Sequence, residues 1–253
     1  MLANIIDTHA HYNDRAFDSD RNDVLASLRG AGIVCVINCG TDLASSVQSR
    51  ELAEQFDFVY FAAGIHPEDC GNAQEEDLAK IQTLLRHEKC VAVGEIGLDH
   101  YWPEPPHDVQ NLFFERQLAL ANDCKMPVII HDREAHGDTM ALMRRYRPAG
   151  VLHCFSGSVE TMFEAVSLGL YIGLGGAVTF KNAKKAVDVA KAVPADRLLL
   201  ETDCPYMAPT PFRGKRNSSA LIPYTAEFIA GLRGVDAQTL IDQTTENAKR
   251  LFF

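Results

Sequence analysis

With 253 residues, 47% hydrophobic and 23% charged, the chain has the size and balance of one α/β barrel, a fold that typically runs to about 250 residues. It has no apolar run of about 18 residues and no basic segment leading into a long apolar stretch, so neither a membrane span nor a secretion signal is expected. The formal net charge of −10 argues against a protein that coats duplex DNA through a basic face, but not against one that admits nucleic acid to a single cationic, metal-loaded cleft.

Aliphatic and β-branched runs recur at residues 5–8, 34–39, 60–65, 91–96, 128–131, 151–155, 170–173 and 198–201. Helical spacings lie between and after them, as in Leu78, Ile81, Leu84 and Leu85, and in Leu240, Thr244, Ala248 and Leu251. Strand then helix, repeated, implies parallel strands joined by helical crossovers. About eight such strands predict an α/β fold closed as a TIM-type (β/α)8 barrel; an open doubly wound sheet is the alternative. No internal repeat, low-complexity tract or Pro/Ser linker divides the chain, so residues 1–253 read as one domain. Two Pro-rich stretches, YWPEPPH at 101–107 and MAPTPFRGKRNSS at 207–219, read as loops after strand ends. The seven cysteines are scattered singly without a CxxC pair, which suits reduced, packed thiols in a cytoplasmic protein.

The strand ends carry the chemistry. The first run leads into His9 and His11, which lie two residues apart and so share a face. His66 follows the third run in GIHP. Glu95 lies in the fourth (VGEIGLD), His131 ends the fifth (VIIHDR), His153 lies in the sixth (VLHCFSG), and Asp203 follows the eighth (LLLETDCP). In a parallel barrel these ends all open on one mouth, where barrel enzymes keep their active sites. A lone HxH is a weak signal, and Asp203 alone could be a helix cap. An unpaired buried Glu95 would be costly, however, and the conjunction of six candidate ligands at one face points to metal. His9, His11, Glu95, His131, His153 and Asp203 exceed the needs of one tetrahedral zinc. They suit two divalent ions, Mg, Mn or Zn, sharing a carboxylate and a water. His87, His100, His107 and His136 read as surface residues. Cys154 and Cys204 read as packing thiols pointing away from the ligands.

In order along the chain, IDTHAH, AAGIHPE, VAVGEIGLD, PVIIHDR, VLHCFSG and LLLETDCPYMAP followed by PFRGKRN resemble the TatD family of metal-dependent hydrolases. The resemblance spans nearly the whole chain and is specific in combination, although HxH alone opens many amidohydrolase-type barrels. It implies a metallo-dependent hydrolase barrel with two ions. One would be held by His9, His11 and Asp203, the other by His131 and His153, with Glu95 bridging. It also implies a deoxyribonuclease, often a 3′→5′ exonuclease; some relatives deacylate D-aminoacyl-tRNA. The chain departs from the family at HYW after GLD, at Ser218 and Ser219 after GKRN, and at Glu134 in HDRE. These positions bear on substrate preference and remove no ligand.

The expected reaction is hydrolysis of a phosphodiester of DNA by metal-activated water. Asp203 and Glu95 are the catalytic carboxylates, and Asp203 orients the water and takes its proton. His66, Arg133, Arg213, Lys215, Arg216 and Asn217 are the candidate phosphate contacts, with Lys181 less supported. Tyr101 and Trp102 are candidates to stack an unpaired base or, equally, to plug their loop against the barrel. The substrate is then single-stranded DNA or a frayed end, read without sequence preference, and no membrane is involved. Two rivals remain at this level: an ester or amide hydrolase on the same centre, and a metal-organised binding module without turnover.

Overall fold

The computed structural model describes residues 2–253. Eight strands run in chain order: β1 Ile5–Ala10, β2 Ile33–Cys39, β3 Val59–Ala63, β4 Cys90–Asp99, β5 Val128–Arg133, β6 Gly150–Leu152, β7 Tyr171–Leu174 and β8 Leu198–Leu200. Each pairs in parallel with the next, giving the order β1-β2-β3-β4-β5-β6-β7-β8. Between and after them lie α1 Arg21–Leu28, α2 Leu43–Gln55, α3 Glu75–Leu84, α4 His107–Cys124, α5 His136–Tyr146, α6 Val159–Ser167, α7 Lys184–Ala192, α8 Ile222–Arg233 and α9 Ala237–Phe252. This is a nearly closed parallel barrel with helices outside, as the alternation of runs predicts.

The seam between β1 and β8 is fastened more by the segment after β8 than by β8 itself. Ala10 bridges Cys204 in parallel, and His11 N–H donates to the Cys204 carbonyl at 2.8 Å. Asp203 N–H donates to the His9 carbonyl at 2.9 Å. Ile5, Phe61, Val93, Ile96, Val128, Ile130, Leu152 and Leu200 pack in the layer between the strands and the surrounding helices. A second cluster, almost wholly of strand residues and including Ile37, Ile129 and Leu199, fills the barrel, with Ile129 on the same face as His131.

Strand ends differ from the sequence reading where they matter. β1 runs to Ala10, so His9 lies within it and His11 just beyond. β4 runs three residues past Ile96, because Gly97, Leu98 and Asp99 pair with His131, Asp132 and Arg133 of β5. β6 stops at Leu152; Cys154 adopts a left-handed φ of 43°, which ends the strand and breaks the alternation of faces. Cys154 therefore lines the mouth, contrary to the period-2 expectation, whereas Cys204 is buried as expected. All seven cysteines are free thiols. Among the described residues, no helix is long and apolar enough to cross a membrane.

Candidate metal centre

Glu95, on β4, is the hub. Its Oε1 lies 2.7 Å from His153 Nε2, 3.0 Å from His131 Nδ1 and 3.3 Å from His66 Nε2. Its Oε2 lies 3.2 Å from His9 Nε2 and 3.4 Å from His11 Nε2. Asp203 Oδ1 approaches the same two nitrogens, at 3.7 Å from His9 and 3.4 Å from His11. One carboxylate thus separates two groups of imidazoles, and a second carboxylate completes one of them.

This donor set fits divalent metal. His9 Nε2 and His11 Nε2 are 2.9 Å apart, and His153 Nε2 and His131 Nδ1 are 3.4 Å apart. Ring nitrogens aimed at each other need a proton or a cation between them. Among the described residues, three triads place their ligand atoms within 4.8 Å of one another: His9–His11–Asp203, His9–Glu95–His153 and His66–Glu95–His131. The first matches the expected ligand set. The others differ from the expected pairing of His131 with His153: His66, expected beside the substrate phosphate, joins the donors, and His153 stacks on His9 with ring centroids 3.9 Å apart.

The electrostatics follow from this crowding. Burial opposes charge on Glu95, but His153, His66 and His9 around it hold its carboxyl well below the usual range. Burial likewise opposes charge on His11, but hydrogen bonds to Asp203 and Glu95 outweigh it and push the ring up to about 10. His131 is also pushed up to about 10, with bonds to Asp99 and Glu95 overcoming burial. His9, by contrast, is lowered to about 4, first by burial and then by the charge on His153.

The sequence reading missed three carboxylates behind the donors. Asp99, fully buried, accepts from His131 Nε2 at 2.9 Å and so turns Nδ1 toward Glu95. Glu95 and Asp99 are four residues apart on one strand face, so alternation extended past residue 96 would have found it. Asp7 is also fully buried and accepts from His9 N–H, Thr202 and Ser219. Glu201 is buried and pushed up to about 8 by that burial; it accepts the backbone N–H of Cys154, beside His153. His100, expected at the surface, is largely covered and stacks on His107 at 3.8 Å.

Gly97 shows how closely β4 and β5 meet here. Its φ is +150°, and a Cβ would run into the carbonyl of His131. Gly97→Ala is expected to destabilise the protein by about 1–3 kcal/mol and to lower metal content per chain. Thermal unfolding and elemental analysis of the purified variant would check both; an unshifted unfolding curve would contradict the first.

The centre opens into a cavity of about 670 Å³. Arg133, expected at a phosphate, lines it and stacks its guanidinium 3.9 Å over the Tyr101 ring. The FRGKRN segment does not line it. Arg216 forks onto Asp20 at 2.6 and 2.8 Å, and Asn217 is fully buried, donating to the carbonyls of Thr202 and Tyr206. Arg213 and Lys215 lie over the rings of Phe180 and Phe212. Arg216 and Asn217 thus brace the loop after β8 and are not free for phosphate, which corrects the reading of those two, while Arg213 and Lys215 are exposed on the same loop outside the cavity lining. Lys181 is exposed and likewise outside the cavity lining. Four residues with positive φ, Glu134, Cys154, Asp203 and Met207, follow β5, β6 and β8 at this mouth, where backbone strain gathers at functional sites.

Comparison with known proteins agrees with this geometry. The family model described as TatD related DNase matches residues 6–253. An uncharacterized metal-dependent hydrolase of Bacillus subtilis, YabD, is 43% identical over 251 residues, covering 98% of each chain. The 3′-5′ ssDNA/RNA exonuclease TatD of Edwardsiella piscicida is 38% identical, covering 98% of this chain and 99% of its own. The crystal structure of YJJV, a TatD homolog from Escherichia coli K12, superposes with a TM-score of 0.94 at 33% identity over 100% of this chain and 99% of that one. The barrel, the donor cluster at its mouth and these likenesses lead to one conclusion: the chain belongs to the TatD family of metal-dependent hydrolases.

Proposed function

We propose that residues 1–253 form one hydrolase domain that removes nucleotides from the 3′ end of single-stranded DNA. The observation that carries this reading is the Glu95 carboxylate held between two groups of imidazoles at the floor of an open cavity. The exonuclease name of the Edwardsiella relative supports nucleic acid as substrate. The seven free thiols support a reducing, cytoplasmic setting.

His9, His11 and Asp203 would hold one ion; His131 and His153, with His66 close by, would hold another; Glu95 would lie between. When bound, such Mg, Mn or Zn ions supply an activated water and neutralise phosphate charge. Asp203, whose Oδ1 lies 3.4 Å from His11 Nε2 at the edge of this donor set, is the carboxylate placed to take the proton of the attacking water. The water oxygen bonds to phosphorus, the bond from phosphorus to the neighbouring 3′ oxygen breaks, and the proton taken by Asp203 passes to that departing oxygen. A nucleoside 5′-phosphate and a shortened strand with a 3′ hydroxyl result. Arg133 is the arginine at hand for a non-bridging oxygen.

A specific observation favours a second reading. Asp14, Glu68, Asp69 and Asp132 also line the cavity, and these carboxylates disfavour a long polyanion. An ester or amide hydrolase acting on a substrate smaller than a nucleic acid fits that rim; a D-aminoacyl-tRNA deacylase is the ester hydrolase whose substrate is also a polyanion. The test offers DNA labelled near its 5′ end, DNA labelled at its 3′ end and D-aminoacyl-tRNA to the protein with Mg, Mn, Zn or a chelator. Metal-dependent release of 3′-terminal mononucleotides is expected. Deacylation without any release of nucleotides would move the assignment to the second reading.

A further inference from the structure

Four large apolar side chains are exposed on two loops at the mouth: Tyr101 and Trp102 after β4, and Tyr206 and Met207 after β8. Trp102, Tyr206 and Met207 line the same cavity as Glu95, His131 and Asp203. In a nearly closed barrel ordered β1 to β8, β4 and β8 are four places apart and so stand on opposite sides. The loops after β4 and β8 thus rise from opposite sides of the barrel, and both bring apolar side chains to the cavity of the donor cluster.

Both loops are built in advance. Tyr101 meets Trp102 edge to face at 4.8 Å, and the Arg133 guanidinium sits 3.9 Å over Tyr101 and 6.0 Å from Trp102. Opposite, the Tyr206 hydroxyl donates to Asp14 at 2.9 Å, and the Tyr206 carbonyl accepts from buried Asn217 at 2.7 Å. Met207 holds a left-handed φ of 55° beside it. Held this way, Trp102 and Tyr206 remain about half exposed, and a planar apolar ligand covers them at little further entropic cost.

We propose that Trp102 on one side and Tyr206 with Met207 on the other form a clamp for a single unpaired base, the 3′-terminal base of the strand being cut. This rests on the nuclease reading and deepens it. A base between the two loops carries its own 5′-phosphate toward Glu95, Asp203 and Arg133. Stacking is blind to base identity, so all four bases are accepted, and a paired end is admitted only after fraying.

Trp102 is the one tryptophan of the chain, so its fluorescence reports the clamp directly. Titration with deoxyadenosine 5′-phosphate is expected to quench it, and 2-deoxyribose 5-phosphate, which lacks the base, is expected to leave it bright. Tyr206→Ala should weaken binding of the nucleotide about 10-fold and remove its preference over the sugar phosphate. A parallel digestion compares strands ending in an ordinary or an abasic 3′ nucleotide; the ordinary end should be preferred by wild type and lose that preference in Trp102→Ala. Equal quenching by both phosphates, or wild-type nucleotide affinity in Tyr206→Ala, would overturn the clamp. Base-dependent quenching without strand cleavage would uphold the clamp as a nucleotide site and refute the exonuclease. Cleavage that treats ordinary and abasic ends alike would refute the clamp and leave the exonuclease standing.

Discussion

Asp203→Asn should lower the turnover of single-stranded DNA by roughly 1,000-fold while the barrel stays folded. The substitution keeps the shape of the side chain and removes its charge, its proton-accepting capacity and one strong donor to metal. Asp203 lies 3.4 Å from His11 Nε2 and 3.7 Å from His9 Nε2, so the loss falls on the group of ligands that needs it most. Its backbone N–H keeps its bond to the His9 carbonyl, which preserves the seam between the first and last strands. Steady-state rates with Mg or Mn, far-ultraviolet dichroism and metal content of the same preparation separate the effects. A rate near wild type in a folded, metal-bearing variant would remove Asp203 from the chemistry.

The largest effect on stability is expected outside the metal ligands. Asp7→Ala should cost about 3–5 kcal/mol and lower the unfolding temperature by roughly 10 °C. The Asp7 carboxylate is fully buried and accepts from Thr202 N–H at 3.0 Å, Thr202 Oγ1 at 2.7 Å, Ser219 Oγ at 2.6 Å and His9 N–H at 3.3 Å. It joins β1 to the segment after β8, where β8 itself has only three residues. Alanine leaves those donors buried without an acceptor, which costs more than the bonds contribute net when made. Asp7→Asn, which keeps one acceptor oxygen, should lose less. Chemical denaturation of both variants would measure it; an Asp7→Ala midpoint equal to that of wild type would show that the seam is held by something else.

Much of the site was legible because its chemistry follows alternation and topology. HxH on a strand, and a histidine or carboxylate at five of the seven later strand ends, identify a mouth before any coordinate is known. What stayed hidden depended on partners remote in the chain. Arg216 looked like a phosphate contact because a basic run reads the same whether it faces solvent, substrate or a carboxylate; its partner is Asp20, 196 residues away. Asn217 looked available for the same reason, yet both its amide donors hold carbonyls of its own loop. Asp99 escaped because the strand was ended at an aliphatic residue, when pairing with β5 carries it further. His66 lies where the sequence puts it, beside the centre and in the cavity lining, 3.3 Å from Glu95; the distance that separates a ligand from a substrate contact is set by packing and not by sequence.

The seam also fixes when in the life of the chain the centre exists. Asp7 and Thr202, which lie directly beneath it, are 195 residues apart. His9 and His11 emerge first in synthesis, and Asp203 only after all eight strands have been made. A nascent or truncated chain holds imidazoles without the carboxylate that completes their set, so the hydrolytic centre is assembled by the last act of closure. Metal loading is thereby a quality check on the whole barrel: an ion that binds N-terminal and C-terminal ligands together stabilises only the finished fold, and a partly built hydrolase stays inert.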